Sequence, residues 1–159
     1  KIWIMVGNEV VIRKACEADF EFILEANAAV SEKGSNTVLK DTERLKKDLF
    51  GKTARAAVII AEVEGQAVGM ALYATTYFAN EGELMWVSQM YVEPRFRNRK
   101  QWIAPALMSE LIKIAQEKGW AYICWATDIG NNIPKKLSQK LGAHALENFV
   151  MYALPLNDE

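Results

Sequence analysis

The run from Met90 to Gly119 constrains this chain more than any other. Met90-Tyr91-Val92 has the character of a strand end, Glu93-Pro94 stops it, and Arg95-Phe96-Arg97-Asn98-Arg99-Lys100-Gln101-Trp102 is a basic loop. Ile103-Ala104-Pro105 opens a long amphipathic helix with Leu107, Leu111, Ile114 and Ala115 on one face and Gly119 at its end. Proline suits a first helical turn, where its missing N–H costs nothing, and glycine takes the left-handed backbone that closes a helix. Trp120 to Ala126 follows as an apolar run, read as a strand covered on both faces. A strand, a helix and a strand in that order place a parallel pair in one sheet. They also deliver positive charge and unpaired amide N–H groups to a helix N-terminus, the geometry of a phosphate site.

The remaining periodicity predicts antiparallel partners for that unit. Glu9 to Ala15 reads as a strand, and Glu17 to Ala29 as a helix with Phe20, Ile23, Leu24 and Ala28 inward. After a polar loop from Ser31 to Asn36, Asp41 caps a short helix with Leu45 and Leu49 inward, closed by Gly51. Ala56 to Val63, the turn Glu64-Gly65 and Gln66 to Tyr77 form a hairpin. Asn80 to Glu83 turns the chain into another strand, Leu84 to Val92. Pro134 to Leu141 reads as a helix ending at Gly142, and Phe149 to Leu156 as a last strand. The N-terminal Lys-Ile-Trp-Ile-Met-Val is too short for a signal-peptide core and suits an edge strand or docking arm. The order β-α-α-β-β-β-α-β-α-β describes one α/β domain, residues 1–159, with a mixed, mostly antiparallel sheet flanked by helices.

Composition narrows the function classes. With 51% apolar and 25% charged residues the chain is an ordinary globular one, and a formal net charge of −1 gives no global attraction to nucleic acid or an anionic membrane. No apolar run approaches the roughly 20 residues of a membrane span. Cys16 and Cys124 lie far apart, with no CxxC pair and too few companions for a metal site. Both sit among apolar neighbours and read as buried free thiols of a cytoplasmic protein.

The order of elements together with the basic loop resembles the GNAT family of N-acetyltransferases over nearly the whole chain. That family's usual signature runs V-x-P, an aromatic, then R-G-x-G-I-G, and this chain reads Val92-Glu93-Pro94-Arg95-Phe96-Arg97. Asn131 and Gly142-Ala143 match a second marker, and the hairpin from Ile59 to Gly69 is similar to the family's. Thr37 to Tyr77 is similar to diamine acetyltransferases. The resemblance implies the acyl-CoA N-acyltransferase fold and acetyl-CoA as cofactor. It also implies direct attack by a primary amine of a small molecule or peptide on the thioester. Asn98 stands in place of the glycine after Arg97, the loop is about two residues longer, and Trp102-Ile103-Ala104 replaces Gly-Ile-Gly. Ser138 replaces the family tyrosine, and Ser88-Gln89 replaces an acidic pair of diamine acetyltransferases.

The implied cofactor contacts are the backbone of Met90, Tyr91 and Val92, the loop residues Arg97, Asn98, Arg99, Lys100, Gln101 and Trp102, the helix start Ile103 and Ala104, and Asn131. Asn131 serves equally as a helix cap, and the cations equally as a solvated surface loop. Ser138 stands at the family's general-acid position but is also an ordinary helix serine; Glu83 and Asp128 are base candidates by location. Trp86, Tyr73, Tyr77 and Asn27 line an expected acceptor pocket, Trp3, Trp120 and Trp125 read as core or interface aromatics, and His144 reads as structural. No metal is implied. A homodimer follows if the N-terminal arm and last strand pair across a two-fold axis. The rival reading is a catalytically inactive module of the same fold that binds a ligand or protein, its groove filled by Trp102 and the longer loop.

Overall fold

The computed structural model describes residues 2–5, 8–31, 41–97, 102–127 and 138–154, with the side chains of residues 2–5, 8 and 31 left aside. The chain divides into two compact units, Lys1–Ala126 and Thr127–Glu159. The first holds a six-stranded sheet whose spatial order follows the sequence, from β1 to β6. The strands are β1 (Ile2–Met5), β2 (Asn8–Lys14), β3 (Ala57–Val63), β4 (Gln66–Phe78), β5 (Gly82–Val92) and β6 (Ile123–Trp125). The helices are α1 (Phe20–Ser31), α2 (Thr42–Phe50) and α3 (Ile103–Lys118). All neighbours pair antiparallel except β5 and β6, which are parallel. The mixed, mostly antiparallel sheet expected from the sequence is present, and the N-terminal run is an edge strand.

Alternation along the strands divides the core in two. Ile59, Ala61 and Val63 of β3 pack with Leu107, Leu111 and Ala115 of α3, whereas Val58 and Ile60 pack with Ile23 and Ala26 of α1 and Leu49 of α2. Successive side chains of a strand point to opposite faces, so β3 is buried on both. Helix α2 begins where Asp41 accepts the Arg44 N–H at 2.9 Å, the cap foreseen from sequence. Helix α3 ends at Gly119, whose φ of 71° lies in the left-handed region.

Several boundaries differ from expectation. Glu17–Asp19 forms a turn of 3-10 helix before α1, and Ala28 is exposed while Ala26 is buried. At 100° per residue Ala28 is turned away from the Phe20–Ile23 line, which Ala26 extends. Cys16 is exposed, not buried, because it sits in the bend that carries β2 into that turn; Cys124 is half-buried on β6. The strand read from Trp120 to Ala126 is confined to Ile123–Trp125 and is only half-buried, since β6 is the last strand and Tyr122 before it is exposed.

In the second unit, Ser138–Lys140 are helical and Gly142 takes a φ of 76°. The Ser138 carbonyl accepts the amides of Leu141 and Ala143, at 3.1 and 2.9 Å, which closes this turn as the glycine predicts. The rest of the Pro134–Leu141 helix lies outside the described residues. No strand forms over 149–154, where Phe149, Val150, Met151, Tyr152 and Leu154 are all exposed. Apolar β-formers make a strand only when a partner strand and a covered face are available, and among the described residues these have neither. His144 is exposed.

Candidate functional site

Several groups that could hold an anion lie around the end of β5. Pairing with β6 runs from Met85 with Ile123 to Val87 with Trp125 and extends no further among the described residues. At that point the β4–β5 register shifts: Leu72 faces Gln89 but Tyr73 faces Val87, which leaves Ser88 as the extra, exposed residue of a bulge. A bulge re-aims the side chains beyond it. Met85 and Val87 pack on the α3 side before it, Met90 and Val92 after it, so Tyr91 falls on the α1 side. Beyond Val87, β5 therefore presents one edge of backbone groups with no strand partner among the described residues.

Helix α3 starts against the face of the sheet at this end of β5. Gly69 of β4 pairs with Val92, and a Cβ built on Gly69 would stand 2.8 Å from Ile103 Cγ2 and 3.1 Å from the Tyr91 carbonyl oxygen. The glycine is what lets the first turn of α3 sit on the sheet. Among the described residues no side chain caps that turn, and Pro105 as its third residue has no amide hydrogen to satisfy. The amides of Ile103 and Ala104 thus stand at the positive pole of a 16-residue helix.

Trp102 precedes this helix with φ 48° and ψ 29°, a left-handed conformation that a non-glycine residue adopts at a cost of roughly 1 kcal/mol. Its indole is 53% exposed, so it is not buried in a groove. The backbone shape that a glycine favours is kept here by tryptophan.

The two described cations of the loop differ. Arg95 donates from Nε to Glu93 Oε2 at 2.7 Å and lies over the Phe96 ring at 4.8 Å, so its charge is neutralised. Arg97 donates from Nε to the Val92 carbonyl at 2.7 Å and stands 5.7 Å from the Tyr91 ring centroid. Among the described residues no carboxylate pairs with it. An arginine anchored through Nε keeps its two terminal nitrogens for a bidentate contact with phosphate oxygens. Residues Asn98, Arg99, Lys100, Gln101, Asp128 and Asn131 lie outside the described residues.

Other expected site residues lie elsewhere. Glu83 begins β5 at the opposite end and takes the Trp120 indole N–H at 3.4 Å, five residues and roughly 16 Å before the bulge. Ser138 belongs to the second unit. Tyr73 pairs with Val87 and packs on the α3 side, where burial and then Glu110 hold its phenol pKa above the usual value. Trp86 pairs with Ala74 and points to the opposite face, so Tyr73 and Trp86 do not share one pocket. Trp120 and Trp125 pack at the margin of the α3-side core, as expected of core aromatics. A surface depression of about 300 Å³ beside Glu17, Glu43, Lys46 and Phe50 lies by α2, not at this edge. The Gly69 seat was not anticipated as part of the site; a lone glycine inside an apolar strand was its signal.

Residues 22–143 match the model of the acetyltransferase (GNAT) family. A thialysine N-epsilon-acetyltransferase of Bos taurus is 31% identical over 147 residues, covering 86% of this chain and 85% of its own. A possible acetyltransferase from Clostridium difficile 630 superposes with a TM-score of 0.76 at 18% identity, over 94% of this chain and 99% of that one. AAC(6')-Iy in complex with the bisubstrate analogue CoA-S-monomethyl-acetylneamine superposes with a TM-score of 0.74 at 19% identity, over 92% of this chain and 98% of that one.

Proposed function

Because the chain belongs to the acetyltransferase (GNAT) family, we propose that it transfers an acetyl group from acetyl-CoA to the primary amine of a small molecule or peptide. The observation that carries this reading is the meeting of three features at one strand end. Among the described residues, an unpaired β5 edge, an uncapped α3 N-terminus and an arginine with no carboxylate partner occur around that end. The donor set suits a pyrophosphate: backbone amides of Ile103 and Ala104 at a helix N-terminus and the guanidinium of Arg97. The β5 backbone beyond Val87 has the polar groups to align an amide-bearing arm as an added strand would.

When bound, acetyl-CoA would supply a thioester whose carbonyl is open to amine attack. The chain's part is to hold the two reactants in line, and such positioning accounts for much of the acceleration in a two-substrate transfer. The Ser88–Gln89 segment, at the bulge where β5 leaves β6, offers neutral hydrogen-bonding groups to the acceptor in place of carboxylates. From Leu84 to Val92 the strand carries no ionisable carboxylate. A cationic polyamine is therefore a poor match, and an amine on a flexible arm, of the lysine type named by the cattle relative, suits better. Ser138 and Asp128 remain candidates for proton transfer.

Isothermal titration with acetyl-CoA, followed by a thiol-release assay over thialysine, lysine, peptide, aminoglycoside and polyamine acceptors, tests the proposal. Binding with turnover on an amine supports it. Absence of binding at millimolar acetyl-CoA would return the chain to the rival reading of an inactive module.

A further inference from the structure

The Tyr91 side chain has no place in the function as derived so far, which uses only its main chain. Its surroundings give it one. The bulge at Ser88 turns Tyr91 out of the α3-side core and onto the α1 side. There its ring meets the Phe22 ring of α1 edge-on, with centroids 6.2 Å apart and planes at 60°. A second neighbour on the charged side is the Arg97 guanidinium, 5.7 Å from the ring centroid, which also donates through Nε to the Val92 carbonyl at 2.7 Å. Phe22, Tyr91 and Arg97 thus form a chain from helix α1 to the charged group that follows β5.

We propose that Tyr91 is a positioning residue: with Phe22 behind it, its ring fixes the Arg97 guanidinium so that the two terminal nitrogens are held ready for an anion at this end of β5. An exposed arginine on a loop explores many rotamers, and freezing it on binding opposes affinity. One hydrogen bond to Nε leaves the plane of the guanidinium free to swing about that contact. A ring at cation–π distance removes that freedom, and an aromatic face is a surface to which guanidinium is well suited. The ring is in turn held by Phe22, so α1 contributes to aiming a cation that lies in another part of the sequence. This inference rests on the acetyl-CoA reading for the identity of the anion, but not for the geometry of the arginine.

The experiment is a double-variant cycle read by coenzyme A titration. Tyr91→Leu should weaken coenzyme A about fivefold, while Tyr91→Phe, which keeps the ring, should bind as the parent does. In an Arg97→Ala background Tyr91→Leu should change affinity less than twofold, because there is no guanidinium left to aim. Independent losses that multiply, or equal losses in Tyr91→Leu and Tyr91→Phe, would overturn the proposal. Should Tyr91→Leu fail to fold, Phe22→Leu reads the same chain, with a smaller loss again absent in the Arg97→Ala background. A second readout needs no ligand: the Nε–H proton of Arg97 should show an upfield ring-current shift in the parent and lose it in Tyr91→Leu. If coenzyme A does not bind the parent but that shift is present and ring-dependent, the acetyl-CoA reading fails and the positioning role stands. If the shift is absent, the positioning role fails whatever the titration shows.

Discussion

Two arginines in this chain show how differently the same side chain can spend its donors. Arg13 on β2 is saturated. Its Nη1 and Nη2 each donate to Asp19 at 2.7 Å, and its Nε donates to Glu62 at 2.8 Å. Asp19, 7% exposed, also accepts the Cys16 amide at 2.8 Å, so the clamp ties β2, β3 and the start of α1 together. Arg97 keeps one hydrogen bond and one aromatic face and has no carboxylate among the described residues. The difference lies in the partners. An arginine whose donors are spent on buried carboxylates stabilises the fold, and one whose terminal nitrogens are spare can take a passing anion.

The sharpest way to break the contrast is to remove each arginine. Arg13→Ala leaves the Asp19 carboxylate buried without its partner and should cost about 2–3 kcal/mol in urea unfolding, with coenzyme A affinity of the folded fraction unchanged. Gly69→Ala is next. Its new methyl would meet Ile103 and the Tyr91 carbonyl, so it should cost about 1–2 kcal/mol and also weaken coenzyme A by displacing the α3 N-terminus. Arg97→Ala should leave the urea midpoint nearly unchanged yet lower coenzyme A affinity about tenfold in titration. If Arg97→Ala instead unfolds the chain, or Arg13→Ala alone abolishes binding, the division of labour is wrong.

Acid separates the two sites further. Hydrogen bonds from Arg13, opposed by burial and aided by the Cys16 amide, hold the Asp19 carboxyl below its ordinary value of 3.8. A lowered folded-state pKa stabilises above the unfolded value and is lost as pH falls through the folded one. Stability should therefore decline below about pH 4, and Asp19→Asn should flatten that decline in a pH series of thermal unfolding. The smallest effect belongs to Trp102. Trp102→Gly relieves the left-handed strain but adds chain entropy, for a net gain of about 0.5 kcal/mol or less, whereas Trp102→Val should lose about 1 kcal/mol.

How much of this was legible in the residues follows the range of the interactions. The α2 cap at Asp41, the Gly119 stop and the parallel β5–β6 pair depend on neighbours or on element order, and the sequence carried them. The family signature around Val92 and Pro94 pointed to the strand end where β5 runs beyond its pairing with β6. The Arg13 clamp joins residues 49 apart, Arg13 and Glu62, and no local pattern announces it. The Gly69 seat under Ile103 is likewise a contact between distant segments. Phe149 to Leu154 has the composition of a strand, but a strand needs a partner that composition cannot supply. Cys16 misled for the opposite reason: its apolar neighbours are inward, and the bend turns it outward.

The bulge at Ser88 makes the length of β5 a matter of parity. With one residue fewer, Met90 and Val92 would swap sides with Gln89 and Tyr91, putting an amide and a phenol into the oily layer beneath α3. Excising Ser88 should therefore harm this protein far more than replacing it with alanine. Any descendant that loses the extra residue would have to rewrite four neighbouring positions together.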